Sequence, residues 1–67
     1  MQTAIAKTFR SSTSLRLFPQ DRGRIGTTCR ILGTGEAWIQ GKMQSVALVE
    51  FADGVRRVWP VSALELN

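Results

Sequence analysis

The chain contains no histidine, no tyrosine and a single cysteine, and only five of its 67 residues are Asp or Glu. Each shortage removes a class of explanation. Without histidine there is no Ser-His or Cys-His nucleophilic pair. Cys29 alone forms no internal disulfide and, with no second thiol or imidazole, no ordinary zinc site. Five scattered carboxylates are a poor basis for the paired acids of a glycosidase. No apolar run approaches the ~20 residues of a membrane-spanning helix, and residues 1–14 lack the continuous apolar centre of a secretory signal. The expectation is a soluble protein of a reducing cytoplasm, with no membrane partner. The first twenty residues, with Lys7, Arg10, Arg16, hydroxyl residues at 11–14 and no acid, also share the composition of organellar transit peptides. A basic, partly ordered N-terminal arm is the plainer reading of residues 1–14.

The positive charge is concentrated in the front half. Residues 1–30 hold six cations and Asp21, or +5, whereas residues 31–67 hold three cations and four acids, or −1. Such asymmetry suits a nucleic-acid or acidic-protein contact as well as a solvated surface. A chain this short buries only about 60% of its unfolded surface, so it needs tight packing or association with other chains.

Residues 1–10 alternate weakly and fit a short strand or a frayed helix start. Residues 11–14 are a polar breaker, and residues 15–18 read as a short strand stopped by Pro19, with a loop over residues 20–23. Ile25, Thr27, Cys29 and Ile31 then share one side of a strand. Gly33-Thr34-Gly35-Glu36 supplies a turn. An extended run over residues 37–40 follows, ending at Gly41-Lys42. The Gly-Thr-Gly lacks the ending and the helix of a phosphate loop. Residues 44–52 form the best strand, Asp53-Gly54 a two-residue type I′ hairpin turn, and residues 55–59 the return strand. Residues 60–64 read as one tight helical turn before a last strand at Glu65-Leu66. The sum is an all-β chain, a small SH3-like five-stranded barrel over residues 15–67 with a short 3-10 turn before its last strand.

A two-residue turn pairs Phe51 with Arg56, Glu50 with Arg57, Val49 with Val58 and Leu48 with Trp59. On that register Ala47, Val49, Phe51 and Val58 form the core face, with Arg56 at its rim. The opposite face carries Val46, Leu48, Trp59 and Val61 around a Glu50 to Arg57 pair. That is too apolar for a solvated sheet and reads as an oligomer interface or ligand platform, unless it is itself the core. Trp38 reads as core or as a stacking residue near a barrel mouth, and Cys29 as a small buried hydrophobe.

The C-terminal run Trp59-Pro60-Val61-Ser62-Ala63-Leu64-Glu65-Leu66 resembles the end of the plasmid-encoded type II dihydrofolate reductases, with a looser likeness over residues 15–67. The resemblance implies an SH3-like barrel assembled as a homotetramer, with one central pore binding dihydrofolate and NADPH. Its pore positions fall on Arg57, Val58 and Trp59. Arg57 stands where the family has a glutamine that serves both ligands, and Trp59 where it has a tyrosine. Four symmetry copies of Arg57 in one pore repel unless paired with Glu50 or with an anion.

Two functions therefore stand beside each other. The first is a non-catalytic SH3-like binding module, bacterial or encoded by a phage or plasmid, with no cofactor. Arg22, Arg24 and Arg30 would meet phosphates, while Arg57, Trp59 and Trp38 would stack on bases or pack on a protein partner. The second is a divergent NADPH-dependent reductase working in a tetramer pore. A small structural subunit docked through its apolar face is a third reading that overlaps the first.

Overall fold

The computed structural model describes residues 2–12 and 14–66, so Met1 of the expected arm, Thr13 of the polar breaker and the last barrel residue, Asn67, lie outside the described residues. Five strands, β1 (Thr3–Ala6), β2 (Thr28–Ile39), β3 (Lys42–Phe51), β4 (Arg56–Pro60) and β5 (Leu64–Leu66), form one antiparallel sheet in the order β4-β3-β2-β1-β5. Short 3-10 helices occupy Pro19–Arg24 and Val61–Ala63. Among the described residues the sheet is not closed: β4 and β5 each have one neighbour. The all-β class, the helical turn after Pro60 and the last short strand agree with the sequence reading.

Residues 3–6, placed within the arm and read as a short strand or a frayed helix start, form strand β1 inside the sheet, where Ala4 and Ala6 are fully buried between β2 and β5. Two small side chains leave room for the aromatic centre of the core. Trp59 sits there, edge-on to Phe9 at 4.9 Å and to Phe51 at 5.7 Å between ring centroids. Its indole N–H donates to the Lys7 carbonyl at 3.0 Å, so the one polar atom of the ring is satisfied. The expected strand at residues 15–18 is absent. Leu15 is buried in a loop pinned by Ser12, whose hydroxyl accepts the Leu15 N–H at 3.2 Å.

The expected turn at residues 33–36 is also absent, because β2 runs straight through it. A register shift between Ile31 and Gly33 makes a bulge that bends the strand without ending it. The chain reverses at Gln40-Gly41, with φ of 51° and 77°, the paired positive values of a type I′ turn. Gln40 has a Cβ in a region that costs an L-residue on the order of 1 kcal/mol. Gln40→Asn is expected to raise stability by about 0.5–1 kcal/mol, or roughly 2–8 °C in Tm, since asparagine tolerates this conformation. Thermal unfolding checks it; an unchanged or lower Tm contradicts the turn assignment.

The β3–β4 connection has three residues, not two. Phe51 N–H donates to Val55 C=O at 2.9 Å and Gly54 N–H to Phe51 C=O at 2.9 Å. Gly54 has φ of 85° while Asp53 stays out of the left-handed region, as in a type I turn closed by a glycine bulge. Every pair beyond moves by one residue: Glu50 faces Arg56, Leu48 faces Val58 and Ala47 faces Trp59. A one-residue slip exchanges the faces of a strand. Trp59 therefore joins Ala47, Val49 and Phe51 in the core at 1% exposure, while Val58, expected inside, is 44% exposed. Val46 and Ala47 are buried in succession, because the hairpin twists and packs opposite faces at its two ends. Val46 belongs to a second small cluster with Leu15 and Ile39.

Candidate partner-binding groove

The register disperses the expected oligomer face. Trp59 is interior, Val46 is covered by Leu15, and Val61 is half-buried against the main core. Leu48 alone of the four is exposed, at 39%.

The arginines read as ligand contacts are divided in the same way. Asp21, only 1% exposed, accepts from Arg24 Nε at 2.9 Å and from Arg57 Nε at 2.8 Å. Arg24 continues to Asp53, with Nη1 at 2.8 Å from both carboxylate oxygens, and its guanidinium lies 5.2 Å from the centroid of Phe51. These groups tie the Pro19–Arg24 helix to β4 and to the β3–β4 turn. Burial alone raises the pKa of Asp21, but hydrogen bonds from Arg57 and Arg24 and their charges outweigh it and hold the carboxyl below its usual value. Arg24 likewise holds Asp53 down through its hydrogen bond. Arg24 and Arg57 are thus parts of the fold.

On the outer face, Glu50 lies between Arg30 and Arg56, bonded to Arg30 and, at 3.1 Å, to Arg56 Nε. The expected Glu50 to Arg57 pair is replaced by this ladder, and Arg56 stands on the outer face, away from the core. Hydrogen bonds from Arg30 and then Arg56 lower the Glu50 carboxyl. Arg22 is exposed and has no side-chain partner among the described residues. Trp38, 59% exposed, stands across from Met43 near the hairpin tip, far along the sheet from these arginines. Cys29 is buried, its thiol pushed up by desolvation and 3.6 Å from the Ala4 carbonyl.

The arrangement with binding geometry is a groove of about 400 Å³ along β4. Leu48 and Val58 form one wall as a cross-strand pair, and Phe18, 44% exposed, faces it from the loop before the first 3-10 helix. Arg16 and Arg56 line the same space. Arg16 has no partner among the described residues, and Arg56 commits only Nε to Glu50, leaving most of its five donors unused. The sequence reading missed Phe18, Arg16 and Arg56. Phe18 sat in a stretch taken for a strand, and Arg56 was turned inward by the assumed register.

No family model, curated protein or solved structure matches the chain. Among the described residues no helix is long and apolar enough to cross a membrane. The chain is therefore defined by its own geometry, as an all-β domain with an open-edged sheet and a mixed apolar and cationic groove at that edge.

Proposed function

We propose that this chain is a non-catalytic binding module whose groove beside β4 takes a segment of a partner protein bearing apolar and acidic side chains. The observation that carries the reading is the grouping of exposed Phe18, Leu48 and Val58 with Arg16 and Arg56 in one groove. Apolar walls supply affinity, and the cations select acids and orient them. We further propose an SH3-like barrel, supported by the place of β1 between β2 and β5 and by Trp59 joining both ends of the chain through Phe9. A free, buried thiol suits a cytoplasmic setting.

The test is a titration followed by amide chemical shifts, using a peptide in which threonine alternates with valine and glutamate, a DNA oligonucleotide, and dihydrofolate with NADPH. The peptide is expected to shift residues 16–18, 48 and 56–58. Leu48→Lys is expected to abolish those shifts while changing stability by less than about 0.5 kcal/mol, as an exposed substitution should. Oligonucleotide binding that weakens steeply with salt through Arg22 and Arg30 would contradict the reading in favour of nucleic acid. Oxidation of NADPH in the presence of dihydrofolate would favour the reductase reading, for which Val58 is an exposed pore position.

A further inference from the structure

We infer that the partner segment binds by strand addition, as an extended chain pairing with the free edge of β4; this rests on the groove being the binding site. In an antiparallel ladder, hydrogen-bonded and non-hydrogen-bonded pairs alternate. The Phe51 to Val55 bond fixes the phase, so Val49 with Arg57 and Ala47 with Trp59 are the bonded pairs that follow. Arg57 and Trp59 turn their peptide groups to β3. Arg56 and Val58 turn theirs outward, and among the described residues β4 has no second neighbouring strand to receive them. The Arg57 side chain donates to the Arg56 carbonyl at 2.9 Å, which places that carbonyl on the open side.

The edge has the features of a receptor strand. Its outward donors are two residues apart, about 7 Å along the strand, and are flanked by the apolar and cationic side chains of the groove. Arg56 and Val58 lie on one face, so a paired segment presents an acidic and an apolar side chain to them two positions apart. A second copy of this chain is a poor occupant. Antiparallel pairing of two β4 edges through their outward amides would set Arg57 of one copy directly against Arg57 of the other and Arg56 against Val58 with no acid to meet it, and Pro60 offers no donor.

The test uses a blocked heptapeptide in which threonine alternates with valine and glutamate, at concentrations up to millimolar. Saturating peptide is expected to slow hydrogen exchange at the Arg56 and Val58 amides at least tenfold, leaving Arg57 and Trp59 unchanged. N-methylation at peptide residues that face β4 is expected to weaken binding at least tenfold, and at the intervening residues to have little effect. Val58→Pro, which removes one outward donor and spares the β3 ladder, is expected to match the loss, and to weaken binding several-fold more than Val58→Thr, which alters the same groove side chain but keeps the donor. Shifts at Phe18 and Leu48 without protection of Arg56 and Val58, and indifference to N-methylation, would overturn strand addition while leaving the groove reading standing. No saturable shift in the groove would overturn both.

Discussion

Trp59→Ala is expected to remove most of the stability of this domain. A fully buried tryptophan truncated to alanine costs about 3–5 kcal/mol, against a total of about 3–10 kcal/mol for a chain of this size. Trp59 contacts Phe9 and Phe51 edge-on and donates to Lys7, so its loss opens a cavity and removes the hydrogen bond to the Lys7 carbonyl together. Urea unfolding should show a midpoint close to zero denaturant. Trp38→Ala, at an exposed site on β2, should move stability by less than about 0.5 kcal/mol. Equal, small effects from the two substitutions would mean that Trp59 is not interior and that the β3–β4 register is wrong.

Asp21→Asn has the second largest expected effect, about 2–3 kcal/mol or roughly 10–20 °C in Tm. The change is nearly isosteric, so it isolates charge. An amide cannot hold both Arg24 and Arg57, and the site then leaves Arg57 with no carboxylate and Arg24 with Asp53 alone. The pH dependence gives a separate check. Because Asp21 has a folded pKa below its unfolded value, its stabilisation is fully present above the unfolded pKa of about 4 and is lost as pH falls through the folded value. Glu50 and Asp53, also lowered by arginines, act in the same direction. Wild-type stability should be level near neutrality and fall below about pH 4, and Asp21→Asn should fall less steeply there. A variant with the wild-type acid slope would show that Asp21 is not the linked group.

The β class, the strand read over residues 44–52 and found at Lys42–Phe51, the break read at Gly41-Lys42 and found one residue earlier, and the helical turn after Pro60 were legible because each depends on local chemistry. Branched side chains, a glycine and a proline act within a few residues of themselves. The register was not legible. An Asp-Gly pair serves a two-residue type I′ loop and a three-residue loop with a glycine bulge equally well. What accompanies the longer loop is Arg24, 29 residues away in sequence, holding Asp53. From that single residue of difference followed the inward turn of Trp59, the outward turn of Val58 and the loss of the expected interface. The arginines misled for a related reason. Asp21 meets Arg57 across 36 residues, so a cation neutralised within the fold looks the same in sequence as one left for a ligand. β1 was legible only as one of two readings, since four residues give too little alternation to separate a short strand from a frayed helix start.

The binding account depends on which peptide groups of β4 face outward, and amide hydrogen exchange of the free protein measures this directly. The account predicts slow exchange at Arg57 and Trp59, whose N–H groups bond to β3, and fast exchange at Arg56 and Val58, whose N–H groups face the groove. The opposite pattern, with Arg56 and Val58 protected and their neighbours open, would contradict the phase of the β3–β4 ladder and remove the receptor edge.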